Sequence, residues 1–334
     1  MIAFLARLSG LRAVVERCGH LLCTGNFSSL VPALRRASSL AFIQRLVGVL
    51  ESKHVERKDD LIPIDGMALS LPKTQRHRCK KMNDKTVGGG VIWAYLIHAA
   101  RGVSPVKVLK VVEGAWHDTV VMRTVQLVAN GPIYLMDRGF YAFDLLEKWL
   151  REMVHFIVRV RAKDLVYTPI RRISQRRRVG NLSLLLDAVV RLGGSQARLH
   201  PTVRLIVAIL PSGEKLVLAT DLLSWRAEDI LAAYKKRWHI ERFHRFLKDT
   251  LGLSHLYSFA QGGIAFLLYV ALLLSQLLLL SGESAAGETI VLMRKALRAV
   301  RALLGLGTPW RRNACTVTRG KKKRNGKALK TVKR

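Results

Sequence analysis

The chain has 334 residues, half of them hydrophobic, which is enough for one large domain or two ordinary ones with a sizeable core. There are 56 Lys and Arg against 23 Asp and Glu, so the net charge is +33; this excludes an acidic or neutral protein and favours a polyanionic partner. Nucleic acid is the commonest such partner. An anionic membrane surface is the rival, and a merely basic soluble protein is the plain alternative.

The N-terminal region, residues 1–58, has apolar positions three and four apart in residues 30–34 and 40–50. This spacing predicts a helical N-terminal region, which could serve DNA-end binding or packing. Residues 1–12 lack an uninterrupted apolar stretch with a cleavage site, so we do not interpret them as a signal peptide. No second pair at zinc-ligand spacing occurs among the cysteines, so we expect reduced thiols and a cytoplasmic, nucleoid-associated protein. The cysteines are Cys18, Cys23, Cys79 and Cys315.

The next hundred residues alternate between β-rich and helical patterns. The predicted elements are a strand at 61–64 that ends at Asp65, strands at 87–100 and 106–113, a helix at 119–130, a strand at 133–136 that ends at Asp137, a helix at 143–152 and a strand at 155–160. This order is that of an RNase H-like fold, an α/β mixed sheet with flanking helices. We therefore predict an RNase H-like domain over residues 59–310.

A β-rich insertion is predicted at residues 163–223, where two β-like runs follow the basic residues 171–178. A long helix at 227–251 and an apolar helix at 264–281 come next. The uncharged run 264–281 is long enough for a membrane span, but Ser275 and Gln276 interrupt it, which favours a buried helix of a soluble core. Residues 311–334 form a basic tail that we expect to be disordered until it meets DNA.

The long predicted helix carries an acid among polar and cationic side chains. On a regular helix four residues fall within roughly 60° of one another, namely Tyr234, Arg237, Glu241 and Lys248. A carboxylate can bind a hard cation such as Mg²⁺, and nearby cations can hold phosphates. This stripe therefore suits phosphodiester chemistry.

Two further acids follow short apolar strands that would be neighbours in the predicted sheet, Asp65 and Asp137. Each of the three acids alone has a plain explanation. The Asp-Gly sequence at Asp65 is an ordinary turn, and Asp137 with Arg138 could form a turn with a solvated ion pair. Glu241 with Lys248 could be a solvated helix face. Together the three carboxylates could bind two metal ions, one activating the nucleophile and the other stabilising the leaving oxygen.

The spacing Tyr234-x2-Arg237-x3-Glu241-x6-Lys248 resembles the Tyr-Arg-Glu-Lys signature of bacterial DDE-type transposases of the insertion-sequence-four family. Residues 64–66 and 137–140 resemble the first and second acidic motifs of that family and occur in the right order. The resemblance implies a transposase with two Mg²⁺ or Mn²⁺ ions that cleaves and transfers DNA at terminal inverted repeats. A homodimer on paired ends is also implied.

Carried over residue by residue, the resemblance makes Asp65, Asp137 and Glu241 the catalytic metal ligands. DNA contacts would come from Tyr234, Arg237, Lys248, Arg245 and Arg138, with His244 beside them. One departure concerns a tryptophan of the family that stacks on a flipped base, because Leu216 stands at the matching position. A hairpin intermediate therefore stays open, as do two other functions: an inactive DNA-binding remnant and a membrane-associated protein.

Overall fold

A computed structural model of the chain describes residues 36–52, 60–70, 91–98, 106–113, 117–162, 165–174, 178–194, 197–250, 253 and 261–280. The predicted helix at 30–34, the four cysteines and the basic tail lie outside these residues. The helices are α1 (Ala37–Ser52), α2 (Asp118–Arg123), α3 (Phe143–Arg151), α4 (Ala227–Lys235), α5 (Trp238–Arg245) and α6 (Gln261–Leu280). A 3₁₀ turn spans Arg138–Phe140, and a π-helical turn spans Phe246–Thr250.

The strands of the described residues are β1 (Leu61–Ser70), β2 (Val91–His98), β3 (Val106–Glu113), β4 (Ile133–Met136), β5 (His155–Arg159), β6 (Tyr167–Arg172), β7 (Arg178–Val179), β8 (Leu182–Leu192), β9 (Thr202–Ile209) and β10 (Lys215–Thr220). They form one sheet in the order β3-β2-β1-β4-β5-β10-β9-β8-β6, with β7 paired to β8. Strands β1, β4 and β5 are parallel, and the other pairs are antiparallel. The order and polarity of β1–β5 fit the RNase H-like fold predicted from the element order.

Both faces of the sheet are covered, which is why all four residues of β4 are buried. Tyr134 and Met136 pack on one face with residues of α2 and α3, among them the buried Trp149. Ile133 and Leu135 pack on the other face with α4. Residues at odd positions of β4 therefore face α4, and Asp137, which follows Met136, continues that alternation.

Strand β1 extends beyond the predicted strand, so the expectation that Asp65 closes it was wrong. Residues 61–63 pair in parallel with β4, and residues 64–70 pair in antiparallel with β2. Asp65 thus lies inside the strand, two residues past the end of the parallel ladder. The long-range pairing with β2 carries the strand through the Asp-Gly sequence that suggested a turn.

The helix predicted at 119–130 ends at Arg123, because Thr124 caps it. The Thr124 hydroxyl donates to the Val121 carbonyl at 2.8 Å and accepts from the Lys110 ammonium at 2.8 Å. The chain then continues without regular structure, and the Val128 N–H donates to the Tyr134 hydroxyl at 3.1 Å. Tertiary contacts therefore replace the last predicted helical turns.

The continuous helix predicted at 227–251 is divided into three pieces. At Lys236 and Arg237 the backbone bonds shorten to the i−3 type, from Lys236 N–H to Ala233 and from Arg237 N–H to Tyr234. After α5 the chain widens into the π-helical turn that contains Lys248. A regular helical wheel therefore does not describe where Lys248 stands.

Five strands, β6–β10, occupy the stretch predicted as a β-rich insertion, and they extend the sheet from β5. Arg204 of β9 is 1% exposed and makes a bidentate ion pair with the equally buried Asp187 of β8. The same guanidinium donates to the carbonyls of Leu222, Leu223 and Trp225. Donors on one strand thus fix the connection that leads into α4.

The start of this connection is fixed from β5. The Asp221 carboxylate accepts from the Phe156 N–H at 2.9 Å and contacts His155 Nδ1 at 2.6 Å. The Thr220 hydroxyl donates to the Phe156 carbonyl at 2.6 Å. Helix α4 therefore begins from a backbone held by two strands.

Helix α6 packs against α1, β3 and the π-helical turn. Its buried residues include Ile264, Leu268 and Ala271, and those of α1 include Ile43 and Val47. This packing agrees with the prediction of a buried helix. Across the part of the chain whose side chains are described, no helix has both the length and the apolar character needed to cross a membrane.

Candidate active site

Asp65 is presented by β1 on the face of the sheet that α5 covers. Its Oδ1 accepts from the Gly66 N–H at 2.9 Å, and its Oδ2 lies 3.7 Å from His244 Nδ1 of α5. The adjacent Ile64 packs into the opposite core, so strand alternation directs Asp65 towards the helix. The side chain is 23% exposed, which leaves it accessible to a ligand.

Asp137 follows the last residue of β4 and caps the 3₁₀ turn. Its Oδ1 accepts from the Gly139 N–H at 2.8 Å, which fixes one carboxylate oxygen. Because β1 and β4 pair in parallel, Asp137 lies at the same end of the sheet as Asp65. The short apolar strands followed by acids thus bring two carboxylates to one place.

Glu241 comes from the first turn of α5 and is paired with Arg237, four residues earlier. The Arg237 Nη2 atom lies 2.6 Å from Glu241 Oε1, and the two side chains are 11% and 28% exposed. Burial acts against the charge of Arg237, but nearby negative groups, including Glu241 and Asp65, more than offset it and raise its pKa. Arg237 therefore stays cationic beside the acids.

The electrostatics of Asp65 report that the three acids converge. Burial is the largest cause and the charge of Asp137 the second; together with a smaller contribution from Glu241 they raise the pKa of Asp65 from 3.8 to about 7. The hydrogen bond from the Gly66 N–H and the charge of Arg237 act in the opposite direction and lower it. Three carboxylates that repel one another in a partly buried site suit a divalent cation, because the cation removes the repulsion.

The donor set therefore fits a hard divalent metal ion in its chemistry. Within the described ranges, however, no group of three or more His, Cys, Asp or Glu side chains is already arranged to hold an ion. The Arg237–Glu241 ion pair gives a physical reason, since one oxygen of Glu241 is engaged by a guanidinium. Metal binding at all three acids would require Glu241 to loosen this contact.

Tyr234 and Lys248 also belong to this cluster. Burial raises the pKa of Tyr234 to about 12, while Arg237 and Arg159 lower it and Asp137 raises it. Burial lowers the pKa of Lys248, and Asp249 and Asp65 act in the opposite direction. The six residues of the predicted acidic and Tyr-Arg-Glu-Lys motifs therefore stand together, despite the break in the helix.

The remaining predicted residues lie at the rim. Arg138 and Arg245 are exposed, whereas His244 is buried beside Asp65 and does not belong to the outer surface with Arg245. Leu216 is buried in the core under α4, so its side chain is not available to stack on a base.

Two residues near the site were missed by the sequence analysis. Trp238 is 55% exposed, and the Arg237 guanidinium carbon lies 5.7 Å from its ring centroid. Arg159 ends β5 and acts on Tyr234. The available signal was positional: Arg159 follows the apolar run of β5, and Trp238 adjoins the Tyr-Arg-Glu-Lys spacing.

Gly139→Ala is expected to disturb Asp137 specifically. An added Cβ would lie 2.2 Å from Asp118 Oδ2 and 3.0 Å from Asp137 Oδ1, so Asp118 must move and Asp137 is crowded. We expect roughly 3- to 10-fold weaker binding of Mg²⁺ or Mn²⁺ at the acids, with a stability loss of about 1–3 kcal/mol. A calorimetric titration with Mg²⁺ or Mn²⁺ measures this effect.

Gly48→Ala is the matched control, because an added Cβ in α1 has nothing within 4 Å. It should leave the metal dependence unchanged. An identical metal titration for Gly139→Ala and the wild-type protein would contradict the crowding of Asp137.

The fold and the acidic cluster define a mixed α/β protein with converging carboxylates at one end of its parallel strands. The profile of the Transposase DDE domain family matches residues 56–277, about two thirds of the chain. The chain therefore belongs to the Transposase DDE domain family.

Two individual proteins are similar to parts of the chain. Over 153 residues the chain is 24% identical to a probable transposase for insertion sequence element IS5377 of Geobacillus stearothermophilus, covering 44% of this chain and 40% of that protein. Among solved structures, the cryo-EM structure of the piggyBac transposase synaptic complex with hairpin DNA matches 76% of this chain and 55% of its own, at 12% identity and a TM-score of 0.41. The chain thus spans less than two thirds of the length of either protein.

Proposed function

We propose that this protein is an active insertion-sequence transposase that binds terminal inverted repeats and catalyses metal-dependent cleavage and strand transfer of DNA. The observation that carries the proposal is that Asp65 and Asp137 lie at the same end of the parallel strands β1 and β4, and that α5, which carries Glu241, packs on β1. The spacing from Tyr234 to Lys248 favours the insertion-sequence-four type within the family.

Asp65, Asp137 and Glu241 would hold two Mg²⁺ or Mn²⁺ ions. When bound, such ions supply an activated oxygen nucleophile and stabilise the leaving oxygen of an in-line displacement. The Gly66 and Gly139 amides orient the two aspartates, each through one carboxylate oxygen. Arg237 holds Glu241 before the metal enters.

The cationic and hydroxyl side chains around the acids would position the DNA. Tyr234, Arg237 and Lys248 lie close enough to the carboxylates to bind the phosphates beside the reacting bond, because each shares an electrostatic interaction with at least one acid. Arg138 and Arg245 at the exposed rim would extend this contact along the duplex. The net charge of +33 supports binding that weakens steeply with salt.

The proposed organisation assigns residues 59–310 to the catalytic domain, interrupted at 163–223 by the insertion. Residues 1–58 and the basic tail 311–334 would add DNA contacts. A homodimer on paired ends and a cytoplasmic, nucleoid-associated location complete the proposal, since two transposon ends must be cut together. The burial of Leu216 supports a route that does not use this position for base stacking.

The test is strand cleavage of a duplex that carries the terminal inverted repeat flanking the gene, with Mg²⁺ or Mn²⁺. Metal-dependent nicking at the repeat end is the expected result. Tight DNA binding without cleavage under either metal would instead identify an inactive DNA-binding remnant. Recovery of the protein only in a detergent fraction would favour the membrane-associated alternative.

A further inference from the structure

A further cationic side chain, Arg159, stands beside Tyr234 and Arg237 at the candidate active site. Strands β4 and β5 are in parallel register with Met136 opposite Val158, so the next residues, Asp137 and Arg159, come to the same end of the sheet. Arg159 pairs with Leu218 of the neighbouring antiparallel strand β10, and the side chain of Leu218 packs under α4. Arg159 therefore lies on the α4 face, and its charge acts on the Tyr234 hydroxyl.

The groups next to Arg159 include buried hydrogen-bonding atoms whose hydrogen-bonding capacity a ligand would satisfy. Tyr234 and Arg237 are only 8% and 9% exposed, yet Arg237 Nε has no hydrogen-bond partner among the described residues, and the Tyr234 hydroxyl has at most the Arg237 guanidinium beside it. Buried donors without a partner are costly, so native proteins rarely leave them unsatisfied. An oxyanion with several acceptor oxygens would satisfy both donors.

Arg159 already holds an anion. Its Nη2 atom is paired with Oε1 of Glu214, which follows the turn between β9 and β10. The two side chains are 29% and 58% exposed. An ion pair of this exposure is weak, so it exchanges readily for another oxyanion.

We propose that Arg159 joins Tyr234 and Arg237 in one phosphate-binding subsite for the DNA backbone, and that Glu214 occupies Arg159 as a displaceable carboxylate until DNA binds. This inference rests on the proposed function and adds one DNA contact and one competing anion to it. A carboxylate and a phosphate both accept charge-assisted bonds from the guanidinium, so one replaces the other without rearranging Arg159. Glu214 then lowers the affinity for DNA and makes the subsite selective for strongly charged ligands.

The experiment measures binding of a fluorescent terminal-repeat duplex, without metal and over a series of salt concentrations, to four proteins. They are the wild-type chain, Glu214→Gln, Arg159→Gln and the double variant. Glu214→Gln should bind roughly 3-fold more tightly, since it removes a competitor worth under about 1 kcal/mol. Arg159→Gln should bind roughly 5- to 10-fold more weakly, with a salt slope smaller by about one.

The double variant should bind like Arg159→Gln, because Glu214 acts only through Arg159. Glu152→Gln is the matched control for charge: it also removes one carboxylate, on the opposite face of the sheet, where Glu152 contacts Gln126 at 3.3 Å. It should change the affinity less than Glu214→Gln does. Thermal melting of each variant confirms that it is folded.

Two outcomes would overturn the inference while leaving the proposed function intact. If Glu214→Gln and Glu152→Gln increase the affinity for DNA equally, the effect comes from net charge alone and not from the contact with Arg159. Tightening by Glu214→Gln that persists without Arg159 would show that Glu214 acts on another group. Failure of the wild-type chain to bind the duplex even at low salt would overturn the proposed function itself.

Discussion

Replacing Glu241 with Gln is expected to abolish DNA cleavage while DNA binding persists. The amide keeps the size of the side chain and can still accept from Arg237, but it is a poor ligand for a hard cation. Loss of metal-dependent catalysis should slow cleavage at least about 1000-fold, equivalent to about 4 kcal/mol of transition-state stabilisation. Single-turnover cleavage of the terminal-repeat duplex measures the rate, and anisotropy measures binding.

Glu228→Gln is the matched control, because Glu228 lies in the first turn of α4 and contacts Arg226 at 3.6 Å, away from the acids. It should cleave at close to the wild-type rate. A Glu241→Gln protein that retains more than about a tenth of that rate would remove Glu241 from the metal-binding set.

Asp65→Asn is expected to stabilise the metal-free protein at alkaline pH while it abolishes cleavage. The carboxyl group of Asp65 has a pKa of about 7 in the folded protein and about 3.8 in the unfolded chain. Between these values the folded state binds a proton that the unfolded state has lost, so stability falls as the pH rises from 4 to 7 and the loss is complete above 7. At 1.36 kcal/mol per unit the penalty is about 4 kcal/mol, reduced by the partial exposure of the side chain.

The measurement is thermal unfolding in a chelating buffer from pH 5 to pH 8. The melting temperature of Asp65→Asn relative to the wild-type protein should increase with pH, by roughly 4–8 °C at pH 8 for about 2 kcal/mol of relief. The exposed Asp229 provides the control, because Asp229→Asn should follow the wild-type pH dependence. If the melting temperatures of the wild-type protein and Asp65→Asn change in parallel with pH, then burial and repulsion do not raise the pKa of Asp65.

Local sequence patterns predicted the elements that depend on local signals. The apolar run before Asp137 gave β4, and the Asn130-Gly131-Pro132 sequence separated it from the preceding segment. The pattern after Asp137 gave α3 and β5 to within a residue or two. These elements carry their boundaries in their own residues.

Elements that depend on distant partners were not predictable in detail. The extension of β1 through Asp65 requires its pairing with β2, and the break at Lys236 and Arg237 has no Gly or Pro to announce it. The convergence of the acids was inferred from chain order. The Arg237–Glu241 contact is an i,i+4 pair, which helical spacing alone permits. The position of Lys248, in contrast, depends on the π-helical turn, which spacing does not give.

The sequence pattern alone would have predicted the Arg204–Asp187 ion pair. Both residues interrupt otherwise apolar strands, with Asp187 in the run 184–190 and Arg204 in the run 203–209. Opposite charges in neighbouring apolar strands indicate a buried pair, because an unpaired buried charge is expensive. The carbonyls that Arg204 also binds follow from the path of the 222–225 segment, which sequence alone does not give.

The two-sided pairing of β1 has a consequence for dynamics. Asp65 lies on a strand hydrogen-bonded to β2 and β4, whereas Glu241 lies between a tightened turn and a π-helical turn. Strand carboxylates in this position move only by ångström fractions on fast timescales, and helix segments shift collectively in microseconds to milliseconds. Binding of a metal ion by all three acids would therefore shift the α5 segment, because Glu241 must leave the Arg237 guanidinium, whereas Asp65 can remain where β1 holds it.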